Sequence, residues 1–309
     1  MSASDKVVSV ELAKRMQHWG RVRRVPERFH TPLLVLAGTI FLVGTVLAYR
    51  TLDVALSDMR LSFLLIVLVA GTPLTVFVNA AELRVIANAG HTTFSWLHAT
   101  RTVVLATAAN MLPIPGAAVV RTHALVANGV AMSVAVRLIM SAAIVWVGIS
   151  AVVAGLAAAT LLPGAALVFA FGGVVAVGVG VLAFASRPRL TVTLLGVELA
   201  TSLVHAFRLW LVLLALGVDV DLREPIVLSA AAPLAAAAGV FPSGLGLAEG
   251  LSAAIAATIG LGAAIGFVAT AVMRVVGLAG TAVVALLMGV FHGLTDRVVA
   301  PLDSDEHGF

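Results

Sequence analysis

The chain has 309 residues, of which 61% are hydrophobic and 11% are charged, and its mean hydropathy is +1.11. These values exclude a soluble globular domain and predict a polytopic membrane protein. The absence of cysteine excludes disulfides, thiolate metal sites and cysteine nucleophiles, and the eight histidines form no HExxH or similar metal-ligand spacing. The net charge of +4 is weak support for nucleic-acid binding, because many of the basic residues lie before residue 30, where membrane orientation explains them.

Residues 1–30 are predicted to form a basic interfacial helix on the cytoplasmic side. Val8, Leu12, Met16 and Trp19 recur at helical spacing, and the neighbouring Lys and Arg side chains suit anionic lipid head groups. A plain basic cytosolic tail explains the same residues equally well. Both interpretations leave the N-terminus in the cytoplasm.

Six segments are long and apolar enough to cross ~30 Å of hydrocarbon, which takes roughly 20 helical residues each. They are 32–50, 61–80, 138–161, 165–185, 190–217 and 267–291. Two further apolar regions, 102–136 and 226–262, are interrupted by Pro and Gly at "NMLPIPGAAVVR" and "GVFPSGLGLAEG". We predict that each is a broken helical hairpin, re-entrant rather than fully spanning, because the arm 102–112 is only ~16 Å long.

Basic residues predict how these regions run, because Lys and Arg stay on the cytoplasmic side of short loops. We take residues 82–101 as one cytoplasmic loop and the "SRPR" stretch at 186–189 as another. The first broken region then enters from the cytoplasm and returns to it. The mostly acidic stretch 219–224 is outside, so the second broken region enters from outside and returns there.

The order span, span, broken hairpin, span occurs twice, at an offset of about 130 residues, which indicates an internal repeat. Each unit crosses three times, so the second is inverted, as in many transporters whose substrate site lies where the two breaks meet. We therefore predict an all-α polytopic membrane protein with two inverted repeats, about six full transmembrane helices and two broken or re-entrant hairpins. The expected units are the cytoplasmic interfacial helix 1–30, repeat 31–161, inverted repeat 162–292 and the cytoplasmic tail 293–309.

The sequences at both breaks resemble motifs of a known family. "FPSGLGLAEG", with Arg274 in "VMRVVGLAG", resembles the P-x-G-G-L-G-x-x-E and downstream Arg signature of the lysylphosphatidylglycerol synthase transmembrane-region family. "NMLPIPGAAVVR" resembles its upstream N-x-x-P-x-x-x-G/E-x-x-R element, although Ser243 replaces the usual first Gly and Ala117 a frequent acidic residue. The resemblance covers most of the chain. It implies the flippase part of aminoacyl-phosphatidylglycerol synthase/flippase proteins, as a stand-alone member without the synthase domain.

Ionisable groups inside apolar spans cost roughly 2.5–3.5 kcal/mol on insertion scales, so each is a functional candidate. Glu249 and Arg121 follow Pro242 and Pro113 at similar distances, and we expect them either to pair or to bracket the ammonium and phosphate of a head group. A buried structural pair of Glu249 with Arg274 is the alternative. The predicted substrate-binding residues are Glu249, Arg274, Arg121, Arg208, Gly244, Gly246, Pro242, Pro113 and Asn110. No catalytic residue and no metal ligand is predicted.

The ends of the broken helices have chemistry of their own. A helix N-terminus near Leu247 suits a phosphate, and Asn110 either caps a helix end or contacts a ligand. Glu198, His205 and Arg208, in the span 190–217, belong either to a packed polar cluster or to a site. Glu249 is the candidate for proton coupling.

The leading functional prediction is a flippase or transporter of a phospholipid or lipid-linked head group, acting by rocking of the two repeats. It would lie in the cytoplasmic (inner) membrane of a bacterium or archaeon, with both termini cytoplasmic. The alternatives are a secondary transporter of a small soluble anion, which needs a sealed vestibule rather than a lateral gap, and a membrane-embedded transferase or accessory of a lipid glycosyltransferase. The loops contain no nucleophile, metal or paired-carboxylate motif, and there is no Walker motif.

No enzymatic activity and no cofactor is therefore predicted. The expected partners are membrane lipids with phosphate-bearing head groups, and not nucleic acid. A second copy of the chain and a separate lipid-modifying enzyme stay open as further partners.

Overall fold

A computed structural model describes residues 59–110, 116–238 and 246–289, and within these ranges the chain is helical with no strand. The helices in these ranges are α1 Leu61–Ala89, α2 Trp96–Ala109, α3 Gly116–Ala127, α4 Met132–Ala158, α5 Pro163–Phe184, α6 Pro188–Ala215, α7 Arg223–Ser229, α8 Ala231–Ala238, α9 Leu247–Thr258 and α10 Ala263–Leu287. The predicted interfacial helix, the span 32–50 and the tail 293–309 lie outside the described residues.

Five helices, α1, α4, α5, α6 and α10, are long and apolar enough to cross a membrane. They overlap the five predicted spans that fall within the described residues. Much of α5 is exposed, including Leu167 and Phe171, a surface that suits lipid and would be a liability in water. The prediction of a multi-pass helical membrane protein is confirmed for this part of the chain.

The prediction that residues 82–101 form a loop is wrong. α1 continues to Ala89 and α2 begins at Trp96, so only a short turn joins them. Glu82 interrupts the apolar run without ending the helix, because the Leu, Val, Ile and Ala residues that follow tolerate helical structure and Gly90 then ends it.

Both broken regions form hairpins with short arms. α2 and α3 have 14 and 12 residues. In the second region α7 and α8, with 7 and 8 residues, form the first arm, and α9, with 12 residues, forms the second. Arms of 14 and 12 residues are about 21 and 18 Å long, less than the ~30 Å of a bilayer core. The first hairpin spans 96–127 rather than the predicted 102–136, since α4 begins at Met132 rather than at residue 138. The hairpin tips, 111–115 and 239–245, lie outside the described residues.

One end of the bundle, called the basic end, contains the α1–α2, α3–α4 and α5–α6 connections. Arg187 Nη2 lies 2.7 Å from His91 Nδ1, and Gly90 packs against Val130. The arginines near this end are Arg84, Arg101, Arg137, Arg187 and Arg189. The two basic connections therefore lie on one side, as predicted, and the first hairpin enters from this end and returns to it.

The opposite end, called the acidic end, contains the α4–α5, α6–α7 and α9–α10 connections. The Arg60 N–H donates to the Ala215 carbonyl at 2.9 Å, and Leu161 and Ile259 pack against one apolar cluster. Its charged residues are Arg60, Asp219, Asp221, Arg223 and Glu224. The second hairpin enters from this end, so the two hairpins enter from opposite ends, as predicted.

α1 and α6 pack antiparallel in the centre, with α2 against α10 and with α7 and α8 against α4. α4 and α5 pack backbone to backbone. A Cβ atom on Gly148 would lie 2.8 Å from the Gly173 carbonyl oxygen, and one on Gly155 would lie 2.8 Å from the Ala166 carbonyl oxygen. Small residues allow membrane helices to approach this closely.

Candidate functional site

Glu249 lies in the first turn of α9 and is completely buried, with 0% of its surface exposed. Its Oε1 accepts a hydrogen bond from Arg274 Nε on α10 at 2.7 Å, and its Oε2 accepts one from the Gly246 N–H at 2.8 Å. Gly246 has φ +78°, a left-handed conformation that glycine adopts without steric cost. The Glu249 carboxylate therefore balances the Arg274 charge and lies at the positive end of the α9 dipole.

This arrangement changes the prediction for the start of α9. The helix begins at Leu247, as predicted, but the Gly246 N–H is bound by the carboxylate of Glu249. A ligand phosphate at this terminus would have to compete with that carboxylate. Pro242 and Gly244, which belong to the same break, lie outside the described residues.

Arg121, on α3, binds two side chains of α1. Its Nη1 donates to Glu82 Oε2 at 2.9 Å and its Nη2 donates to Asn79 Oδ1 at 3.1 Å. Of the two alternatives for Arg121 and Glu249, direct pairing is wrong, because each pairs with a residue of a different neighbouring span. Glu82 was missed as a partner because its segment was taken for a loop.

Asn110 caps the second arm of the first hairpin. Its Oδ1 accepts a hydrogen bond from the Ala117 N–H at 2.9 Å, so the capping alternative is confirmed. Gly116 permits the tight return, since a Cβ atom there would lie 2.0 Å from the Ala109 carbonyl oxygen. Pro113 lies outside the described residues. In both hairpins a side chain thus binds a backbone N–H where the second arm begins.

Arg208, on α6, is buried with 6% of its surface exposed. Its Nη1 donates to Thr75 Oγ1 at 3.1 Å, and its Nε has no hydrogen-bond partner among the described residues. Gly71 and Gly277 provide the space for this side chain. A Cβ atom on Gly71 would lie 2.9 Å from Arg208 Cγ, and one on Gly277 would lie 2.8 Å from Arg208 Nη2.

The local sequence of α1 explains the Arg208 environment. Pro73 has no N–H and its ring clashes with the carbonyl four residues earlier, and α1 has a π-helical turn at Val67–Gly71 immediately before it. Thr72 Oγ1 donates to the Val67 carbonyl at 3.1 Å within this turn. π-helical turns of this kind are frequent at functional sites. The turn ends at Gly71, where the Arg208 side chain crosses α1.

No carboxylate of the described residues forms an ion pair with Arg208. A buried charge without a counterion is costly, and the guanidinium group matches the geometry of phosphate and carboxylate oxygens. The arrangement can therefore bind an anion.

Comparisons of the chain with models of protein families, with curated proteins and with solved structures found no match. Among the described residues, no group of three or more His, Cys, Asp or Glu side chains is placed to hold a metal ion.

One side of α1 is a polar face that was not predicted from the sequence. Thr75, Asn79 and Glu82 are four and three residues apart, so they lie on one side of a helix. Thr75 contacts Arg208, while Asn79 and Glu82 contact Arg121. This spacing would have identified the face once α1 was continued beyond residue 80.

Proposed function

We propose that this chain is a transporter of phosphate-bearing lipids or lipid-linked head groups and that Arg208 binds the phosphate. The observation that carries the proposal is a buried guanidinium, inside an apolar span, that has no carboxylate partner among the described residues. Leaving such a charge unpaired destabilises a protein. A phosphate accepts charge-assisted hydrogen bonds from the guanidinium fork and removes that penalty.

An inverted repeat is supported by the order of the helices. α1 to α4 and α6 to α10 both run long helix, hairpin, long helix, and the two hairpins enter from opposite ends. Helices related by an axis in the membrane plane run antiparallel, as α1 and α6 do. The packing of α2 on α10 then corresponds to the packing of α7 and α8 on α4. The short hairpin arms support a re-entrant rather than a spanning path.

The orientation follows from charge. Arginines concentrate at the basic end, so this end is proposed to face the cytoplasm and the acidic end to face outside. The protein would then lie in a bacterial or archaeal cytoplasmic membrane with both termini inside.

The choice of a lipid rests on the resemblance of "FPSGLGLAEG" and Arg274 to the lysylphosphatidylglycerol synthase transmembrane-region family, and on those residues alone. In this proposal Glu249 offers a carboxylate to a head-group ammonium, while Arg274 and Arg208 offer guanidinium groups to its phosphate. Rocking of the two repeats would expose this region to one side and then to the other.

The test is reconstitution into vesicles that contain a trace of acyl-labelled phosphatidylglycerol, lysyl-phosphatidylglycerol or phosphatidylethanolamine. Chemical quenching of the outer leaflet measures how fast each lipid crosses. We expect Arg208→Gln to lower the crossing rate of the preferred lipid roughly tenfold or more, since hydrogen bonds to charged groups contribute about 1.5–3 kcal/mol. Arg189→Gln, at an exposed position of the basic end, is the matched control and should keep the wild-type rate.

Two results would contradict the proposal. The first is that no lipid crosses the bilayer faster than in protein-free vesicles. The second is that the Arg208→Gln variant moves lipid across the bilayer at the wild-type rate. Uptake of radiolabelled phosphate by the same vesicles, without lipid movement, would instead identify a transporter of a soluble anion.

A further inference from the structure

Glu198, on α6, is a buried acid that the proposed phosphate site does not use. Only 1% of its surface is exposed, and its Oε1 has no hydrogen-bond partner among the described residues. The hydroxyl of Ser202, one turn along α6, donates to the Glu198 backbone carbonyl and not to its carboxyl group. The Ser202 hydroxyl also lies 2.8 Å from that of Ser150 on α4.

The charged neighbours of Glu198 are Glu82 on α1 and Arg121 on α3, which lie within electrostatic range of its carboxyl group. Arg121 already donates to Glu82 and Asn79, and its Nε has no partner among the described residues. The cluster thus contains two carboxyl groups and one guanidinium. With both acids ionised, one negative charge would remain uncompensated in an apolar interior, which is strongly unfavourable.

No other described cation compensates that charge. On α4, Arg137 is exposed near the basic end, and on α10 Arg274 binds Glu249. Arg208 is on α6 itself, about 15 Å further along the helix. On α1, the Arg84 Nε donates to the Phe94 carbonyl at 2.9 Å and its guanidinium lies over the Trp96 ring. The remaining charged or titratable groups on α6 and on the helices packed against it are Arg189 at the basic end, Arg223 and Glu224 of α7 at the acidic end, and His205, two turns from Glu198.

Glu249 provides the contrast. Both of its carboxylate oxygens accept hydrogen bonds, one of them from an arginine. Both oxygens of Glu249 are therefore paired, whereas Glu198 has an oxygen without a partner among the described residues and shares one guanidinium with a second acid. This difference favours Glu198 over Glu249, the acid that the sequence suggested, as the proton-binding group.

We propose that Glu198 is a proton-binding site, neutral in the described arrangement, and that its proton exchanges with water during the transport cycle. Loss of the proton leaves a carboxylate, which attracts the unpartnered Nε–H of Arg121 on the first hairpin. Release of the proton therefore pulls α3 toward α6, while binding of the proton leaves Arg121 with Glu82 and Asn79.

Infrared spectroscopy of the purified full chain in sodium-free nanodiscs tests the site without any transport assay. Wild-type protein labelled with ¹³C-glutamate should show, at neutral pH, the C=O band of a protonated glutamic acid. The band should be lost in Glu198→Gln and kept in Glu224→Gln. The wild-type spectrum is informative even where a variant folds poorly.

Three results would overturn the assignment. They are the absence of a protonated-glutamate band from the wild type, persistence of the band in Glu198→Gln, and loss of the wild-type band on addition of Na⁺, which would identify a metal-cation site instead.

Coupling of this proton to transport rests on the proposed function and is tested separately. An imposed pH gradient across the reconstituted vesicles should change the wild-type rate of lipid crossing several-fold and leave the Glu198→Gln rate unchanged. If the wild-type rate of lipid crossing does not change with the imposed pH gradient, the coupling is overturned. A chain that moves no lipid overturns the proposed function but leaves the infrared assignment standing.

Discussion

Arg274 Nε donates a hydrogen bond of 2.7 Å to Glu249 Oε1, and this contact joins the middle of α10 to the first turn of α9. It links the second hairpin to a long membrane helix through a charge pair whose acid is completely buried. The pair therefore ties the second hairpin to α10 in the described arrangement.

Removal of one partner of this pair should be costly. In Glu249→Gln, Arg274 loses its carboxylate, and breaking a buried pair lowers the free energy of unfolding by roughly 3–5 kcal/mol. The double variant Glu249→Gln/Arg274→Gln should lose less than the sum of the two single losses, because contacting residues couple by about 0.5–3 kcal/mol. Denaturation in mixed micelles, followed by circular dichroism, measures the three variants. Strictly additive losses would show that the contact carries no coupling energy.

A substitution on α10 can fill part of the space that the Arg208 side chain occupies. In Gly277→Ala the new Cβ atom meets Nη2 at 2.8 Å, whereas Gly196→Ala, on α6, meets nothing within 4 Å. We expect Gly277→Ala to reduce lipid crossing about tenfold or more, because small misplacements of binding groups are costly. Gly196→Ala should keep the wild-type rate. Equal rates in the two variants would exclude the guanidinium position as a determinant of transport.

The cap on α3 should be measurable. Asn110→Ala removes the acceptor of the Ala117 N–H and should lower the free energy of unfolding by about 1 kcal/mol. Asn110→Asp keeps an acceptor oxygen and should retain most of the stabilisation that the cap provides. Asn128→Ala is the matched control because Asn128 is exposed and donates to a helix-end carbonyl. If Asn110→Ala is no less stable than Asn128→Ala, the cap contributes nothing.

The orientation can be tested with single cysteines, since the natural chain has none. Asp221→Cys, at the acidic end, should react with a membrane-impermeant maleimide in intact cells. Ser186→Cys, at the basic end, should react only after permeabilisation. The reverse pattern would invert the proposed orientation, and labelling of both from one side would contradict the assignment of the two connections to opposite ends.

Much of the fold was predictable because a bilayer imposes a length and an apolar composition on each span. Five spans, the opposite entry of the hairpins and the start of α9 at Leu247 followed from hydropathy, arginines and the positions of Pro and Gly. The end of α1 was not predictable from hydropathy, because the continuation past Glu82 is a helix that is no longer uniformly apolar.

The sequence predicted which residues belong to the candidate site but not which of them contact one another. The pair of Glu249 with Arg274 was one of two alternatives, while Arg121 was expected to pair with Glu249 or to bracket a head group with it, and its actual partner Glu82 was not predicted. Sequence spacing defines neighbours only within one helix. The contact between Thr75 and Arg208 joins residues more than a hundred positions apart, so it depends on how α1 crosses α6.

The glycine contacts between α4 and α5 have a mechanical consequence. Two helices whose backbones touch at Gly148, Gly155 and Gly173 have no compressible side-chain layer between them, and close packing transmits displacement rather than absorbing it. α5 packs mainly on α4, so under the proposed inverted repeat it would move with the first unit although its sequence belongs to the second. In a rocking transporter the hinge would then fall near Arg187, between α5 and α6, and not at the boundary between residues 161 and 162.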